Sequence, residues 1–243
     1  MKNAIVSRIY FWGLWLCTKV FTRVTITGWE NVPAPADGGL LIVSNHFTVF
    51  EIPFIGTYLP KAPGFFATRE LLDTGWLAPG IQSYGDKVIL TDRGKVDRQS
   101  LRAGLNQLET GEWLSIFPEG GITREVVTVS HNGESTAHLP FIWTREEPVE
   151  LFKARSGSAW LAVQSGVAVL PIAFEGTEKL EAELLGWRRT QIKMHIGKPI
   201  GPFVIPAGVR GKEKKKLIDQ FGHEMMQAVA DILPEKYRGE HYR

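Results

Sequence analysis

Short apolar blocks alternate with stretches of helical period along most of the chain, and that alternation sets the fold class. "GGLLIVSNH" (residues 38–46) places four consecutive large aliphatic residues behind two glycines, the pattern of a strand buried on both faces. "VTITGWENVP" (24–33) reads as a short strand closed by Asn31 and Pro33. "GFFATRE" (64–70), "KVILTDRG" (87–94), "EWLSIFPEGG" (112–121), "VAVLPIAF" (167–174) and "QIKMHIGKPI" (191–200) are further strands. Val96, Leu101, Leu105 and Leu108 fall at helical spacing before a stop at Gly111. "SGSAWLAVQSG" (156–166) and the amphipathic "KEKKKLIDQFGHEMMQAVADIL" (212–233) are helical, while "LLDTGWLAPGIQSYG" (71–85) is a helix or an irregular connection. Strands alternating with helices through one chain predict a single α/β domain, with a mixed, largely parallel central sheet flanked by helices.

Residues 122–150 break the pattern. They mix β-prone pieces with Asn-Gly and Pro punctuation, and "VVTVS" followed by "HNG" has the form of a hairpin. Excursions of this length are usually surface insertions or functional lids. No internal repeat or low-complexity linker divides the chain, and 243 residues suit one sizeable domain.

The amino terminus sets a different problem. Only ten uncharged residues, "IYFWGLWLCT", lie between Arg8 and Lys19, whereas a helix needs roughly twenty to cross the hydrocarbon core. No small-residue cleavage site follows, which argues against a signal peptide. Two readings fit: a core helix packed on the domain, or an interfacial helix with its aromatics in lipid and Arg8, Lys19 and Arg23 among the head groups. The mix of tryptophan and basic residues favours the second. The chain is therefore expected to divide into an interfacial helical segment over 1–24 and a catalytic domain over 25–243.

Composition narrows the classes. A formal net charge of +2 and a pI near 8.6 give no general affinity for nucleic acid. The single cysteine, Cys17, excludes an intramolecular disulfide and a thiolate metal cluster. "KEKKK" (212–216) is either a solvated helix face or a contact for anionic lipid.

Chemistry concentrates at two predicted strand ends. His46 follows the apolar run of residues 40–43, where open α/β sheets present ligands, and Glu51 lies five residues on. A carboxylate that accepts a proton from one imidazole nitrogen fixes the tautomer and leaves the other nitrogen as a general base. At the second end, "SIFPEGG" (115–121) offers the Glu119 carboxylate, while Gly120 and Gly121 let backbone approach a ligand closely. The other histidines show no partner pattern, and His46 with Glu51 lacks a third ligand for a metal.

Together and in this order these segments resemble the glycerolipid acyltransferase family that contains the 1-acylglycerol-3-phosphate acyltransferases. "NHFTVFE" matches its first block, "KVILTDR" with Arg93 the second, "FPEGGITR" the third and "VAVLPIAF" with Pro171 the fourth. "ARSGSAWLAVQSG" is similar to the family's Lys/Arg-x-Gly helix, and "IGKPI" and "LPEKYRG" to segments near its end. Three features depart from the pattern: Glu51 stands where Asp is usual, two extra residues separate Glu119 from Arg124, and the segment 125–150 replaces a short loop.

The resemblance implies that His46 acts as general base, with Glu51 holding the imidazole. It also implies that Arg93 and Arg124 bind an acceptor phosphate and that Glu119 and Gly120 shape the acceptor pocket. The implied reaction moves a fatty acyl chain from acyl-coenzyme A or acyl carrier protein to the free hydroxyl of lysophosphatidate, giving phosphatidate with no cofactor. The membrane lipid surface and a lysophospholipid are the expected partners, at the cytoplasmic face of a bacterial inner membrane. Alternatives are another lysolipid, a glycolipid or an amino-acid-derived lipid as acceptor, thioester hydrolysis, or an inactive lipid-binding relative.

Overall fold

In the computed structural model, which describes residues 12–13, 15–73, 78–92, 98–122, 144–145 and 148–243, the run "LLIVS" lies at the centre of the sheet. Its five residues are all buried because both faces are covered. The described strands are β1 (Thr22–Thr27), β2 (Leu40–Ser44), β3 (Gly64–Thr68), β4 (Val88–Thr91), β5 (Trp113–Ile116), β6 (Ala168–Glu175) and β7 (Thr190–Ile196). They form one sheet in the order β1-β7-β6-β2-β5-β3-β4. The described helices are α1 (Glu51–Tyr58), α2 (Ala78–Ser83), α3 (Arg98–Glu109), α4 (Ser156–Ser165), α5 (Leu180–Leu185) and α6 (Gly211–Asp231).

Alternation along β2 divides the core in two. Leu41 and Val43 point to the face covered by α3, α4 and α6, where they pack with Leu161, Met225, Met226 and Val229. Leu40 and Ile42 point to the other face, against Phe54 and Ile55 of α1 and Leu180 of α5. Helix α6 turns Ile218, Met225, Met226 and Val229 inward and leaves Lys212, Lys215 and Lys216 in solvent, the solvated-face arrangement of "KEKKK".

Five strands run in parallel, and β7 pairs antiparallel with β6. The reason is the connection: between Glu175 and Thr190 the chain makes only a short 3-10 turn and the six-residue α5, so it re-enters the sheet at the end where it left. Strand β1 then pairs parallel with β7. Strands β7 and β1 therefore both start at the end where β2 and β6 finish. The helical residues 15–21 immediately precede β1 and sit at that end. Because Thr22, Arg23 and Val24 belong to β1, the sheet begins before residue 25.

The carboxyl-terminal tail closes over the loop that leads to α4. The Leu151 amide donates to the Tyr237 carbonyl, and the Ala154 amide donates to the Tyr242 hydroxyl at 3.0 Å. Burial pushes the Tyr242 phenol up to about 12. The expected hairpin of "VVTVS" and "HNG" lies outside the described residues.

Candidate active site

The site begins where β2 ends. Asn45 prolongs the sheet with its side chain: its amide donates to the Phe174 carbonyl at 3.0 Å and its oxygen accepts from the Phe174 amide at 2.8 Å. That fully buried amide pair fixes the backbone entering His46. The His46 ring stacks on Phe117, with centroids 3.9 Å apart and planes 10° off parallel, so it is held between strand ends β2 and β5. Its side chain keeps 15% of its exposure.

Glu51 is the first residue of α1 and has no exposed surface. Its Oε2 lies 3.3 Å from His46 Nδ1. The same carboxylate accepts the Thr48 amide on both oxygens at 3.0 Å, the Thr48 hydroxyl at 3.2 Å and the Thr177 hydroxyl at 2.7 Å. The Thr48 hydroxyl in turn accepts the Phe50 amide at 3.0 Å. Thr48 and Glu51 thus brace the turn that enters α1, and the positive end of α1 adds its own attraction for a carboxylate. The longer glutamate arm lets one group both brace the helix start and reach the imidazole. Pro53 is accommodated because the first helical turn needs no amide donors.

Thr177 is itself fixed. Glu178 accepts the Gly176 amide at 2.9 Å and the Tyr237 hydroxyl at 2.7 Å. Burial and the adjacent Glu178 carboxylate raise the Tyr237 phenol above its ordinary range. Sequence reasoning missed Thr177, 126 residues from Glu51, whereas the Thr48-x-x-Glu51 spacing was a local signal of a hydroxyl and a carboxylate meeting at a helix start.

A second buried carboxylate holds the backbone of the same histidine. Glu119 Oε1 accepts the His46 amide at 2.8 Å, and Oε2 accepts the Phe152 amide and Arg145 Nη1, each at 2.7 Å. Arg145 is almost wholly buried, and its five N–H groups meet five acceptors. Besides Glu119 these are the carbonyls of Glu150 at 2.5 Å, His46 at 2.8 Å, Gly121 at 3.2 Å and Ile122 at 2.8 Å. The Phe152 ring lies 3.6 Å from the guanidinium carbon. The Arg145 backbone amide donates to the Phe47 carbonyl at 2.6 Å, and Thr144 bridges to Thr48. The end of the segment 125–150 is therefore joined to the His46 loop, through a residue that the sequence reading left unassigned.

Glu119 was expected to shape the acceptor pocket; its carboxylate is engaged by the His46 amide, the Phe152 amide and Arg145. Gly120 has φ +75°, and a Cβ there would lie 2.5 Å from Cδ and Nε of Arg155. The Arg155 amide donates to the Pro118 carbonyl at 2.8 Å, and burial lowers its guanidinium pKa. Its Nη2 is buried with no hydrogen-bond partner among the described residues. Arg93 and Arg124, the two expected phosphate ligands, lie outside the described residues.

The arrangement is suited to proton abstraction. Glu51 at Nδ1 assigns the proton to that nitrogen and leaves the Nε2 lone pair for a substrate hydroxyl.

Comparison with known proteins agrees with the motifs and the fold. The sequence profile of the acyltransferase family matches residues 23–204. A 1-acyl-sn-glycerol-3-phosphate acyltransferase of Chlamydomonas reinhardtii is 27% identical over 241 residues, covering 93% of this chain, and this chain spans 58% of that relative's length. The 1-acyl-sn-glycerol-3-phosphate acyltransferase of Pseudomonas aeruginosa is 25% identical over 237 residues, which cover 94% of this chain and 78% of that protein. The crystal structure of the 1-acyl-sn-glycerophosphate (LPA) acyltransferase PlsC from Thermotoga maritima shares the fold. It matches with a TM-score of 0.53 at 21% identity, over 90% of this chain and 76% of its own. Since the family match takes in His46, Glu51, Glu119 and the strand ends that place them, the chain belongs to the acyltransferase family.

Proposed function

We propose that the protein transfers a fatty acyl group from an acyl thioester to the free hydroxyl of lysophosphatidate at a membrane surface, forming phosphatidate. The observation that carries this reading is the His46 ring, anchored through Nδ1 by a buried carboxylate and partly open at the end of the sheet. His46 Nε2 takes the acceptor's hydroxyl proton as the oxygen attacks the thioester carbonyl carbon. The tetrahedral intermediate collapses with cleavage of the C–S bond, and the imidazolium returns the proton to the departing sulfur. Glu51 stabilises the transient imidazolium. The thioester is carried by coenzyme A or acyl carrier protein and is consumed as substrate.

Arg93 and Arg124 are assigned to the acceptor phosphate in this reading, and Arg155, with an unpartnered buried Nη2 beside Gly120, joins them. Gly120 keeps that approach open. No helix among the described residues is long and apolar enough to cross a membrane, which suits attachment at the surface, and the cytoplasmic face of a bacterial inner membrane is the proposed location. The names of the two relatives and of the structural neighbour support the choice of acceptor.

The experiment is acyl transfer from labelled acyl-coenzyme A to lysophosphatidate, glycerol 3-phosphate, other lysophospholipids and no acceptor. Lysophosphatidate is expected to be acylated fastest, and His46→Ala to lower the rate by about 10²- to 10⁴-fold with the fold intact. Release of free acid alone, or a His46→Ala variant with near-normal turnover, refutes the reading.

A further inference from the structure

Helix α5 ends in a way that needs a reason. The Trp187 amide donates to the Leu184 carbonyl at 3.1 Å and the Arg188 amide to the Glu183 carbonyl at 2.9 Å, the two bonds of a Schellman closure. Such closures put a left-handed residue just past the helix, usually glycine. Here that residue is Trp187, at φ 54°, while Gly186 sits one position too early, at φ −84°. A bulky side chain adopts this conformation at a cost. The cost has no return in packing, since the indole is 92% exposed and Leu184 and Leu185 beside it are exposed as well. A strained, exposed tryptophan that packs on nothing among the described residues points to a ligand outside the chain.

The position of this turn identifies that ligand. Trp187 precedes β7 by three residues, and Thr190, where β7 starts, is the register partner of Thr22, where β1 starts. The helical residues 15–21 lead directly into Thr22, and Trp12, Trp15, Leu16 and Val20 are exposed there. Arg189 ties the two stretches together, its Nη2 donating to the carbonyls of Lys19 at 2.7 Å and Thr22 at 2.8 Å. Seven of the nine exposed large hydrophobic residues among the described residues lie in these two stretches. Lys19, Arg23, Arg188 and Arg189 are exposed among them. On the same helix, Glu181 accepts a hydrogen bond from the Thr144 hydroxyl. Indole and leucine interleaved with cations is the composition that partitions to an anionic lipid interface. Strands β7 and β1 start where β2 and β6 end, so this surface stands at the end of the sheet on which His46 opens.

We infer that the Leu184–Trp187 turn is a second membrane-contacting element, inserted into the head-group layer of an anionic bilayer beside the amino-terminal helix, so that two anchors orient the catalytic edge toward lipid. The inference rests on the reading of the protein as one that acts on a lipid acceptor at a membrane surface. Two anchors on one edge restrict rotation about either, which a single amphipathic helix does not.

The test uses the full chain and vesicles of phosphatidylcholine mixed with phosphatidylglycerol. Trp187→Gly puts the preferred residue into the left-handed position, so its thermal midpoint should stay level or rise while partitioning to vesicles falls. With Leu185→Ser added, the loss in partition coefficient should reach about tenfold or more. Trp187→Cys in a Cys17→Ser background, labelled with an environment-sensitive dye, should give emission that shifts to the blue and resists aqueous quenchers when vesicles are added. Turnover of a short-chain lysophosphatidate dissolved as monomers should not change in these variants, whereas turnover of the vesicle-embedded acceptor should fall. Unchanged partitioning with a quenchable dye overturns the inference. So does a Trp187→Gly variant that loses stability, or a dye that shifts with protein concentration in the absence of vesicles, which would make the turn a contact between copies. If the wild type fails to acylate either acceptor but the vesicle results hold, the docking surface stands and the acyl-transfer reading falls.

Discussion

Two fully buried glutamates hold one histidine, and they are dressed differently. Glu119 faces the buried Arg145 guanidinium and takes two backbone amides. Glu51 takes an amide, two threonine hydroxyls and the His46 ring, with no Lys or Arg against it among the described residues. A carboxylate already neutralised by a cation has little field left to offer a new charge nearby. One supported only by neutral dipoles keeps its negative charge available to the imidazolium that forms when His46 takes a proton. In the proposed reaction the first builds the site and the second serves the chemistry, although both belong to the motif blocks and both end as buried carboxylates.

Several variants would break or sharpen that division. The largest effect is expected from Arg145→Met, which leaves the Glu119 charge buried without its partner and should destabilise the fold by about 3–5 kcal/mol, read by urea denaturation. A loss this large from Glu51→Gln would contradict the contrast. Instead, Glu51→Gln should cost about 10²-fold in kcat with the denaturation midpoint little changed, because the amide still receives hydrogen bonds but cannot balance imidazolium.

Combining Arg145→Met with Glu119→Gln should recover at least about 1 kcal/mol relative to the sum of the single changes, the signature of a direct charge pair. Glu51→Asp shortens the arm so that the Thr48 amide and His46 cannot both be reached, with about tenfold in kcat at stake through one charge-assisted bond. The smallest effect belongs to Thr177→Val. Removing one hydroxyl donor from Glu51 should cost about three- to tenfold in kcat, with Thr177→Ser restoring most of it. If Thr177→Val altered KM alone, Thr177 would be a substrate contact and not a support for Glu51.

Much of this protein was legible in its sequence, for local reasons. "LLIV" announced a doubly buried strand because no polar residue interrupts it, and the structure buries these four residues and Ser44 after them. The His46 and Glu51 pair and the Glu119 turn were found because each lies within a few residues of a strand end and in a motif of fixed order. The parallel core of the sheet followed from helices alternating with strands, and α3, α4 and α6 announced themselves by period and stop signals.

What tertiary structure alone decided lies across long gaps in the chain. Nothing near Asn45 predicts that its amide pairs with Phe174, 129 residues on, and nothing near Arg145 predicts five acceptors gathered from the His46, Gly121 and Glu150 regions. Thr177 is an ordinary threonine in sequence and a hydrogen-bond donor to the Glu51 carboxylate in space. Strand direction at β7 depended on where α5 returned the chain, and that return set Trp187 beside the amino-terminal aromatics at the edge where His46 opens. Period, turn chemistry and motif order are properties of neighbours along the chain, so sequence determines them. Partnership of buried charges and the meeting of distant apolar turns depend on closing long loops, and only the packed molecule settles which of those closures is made.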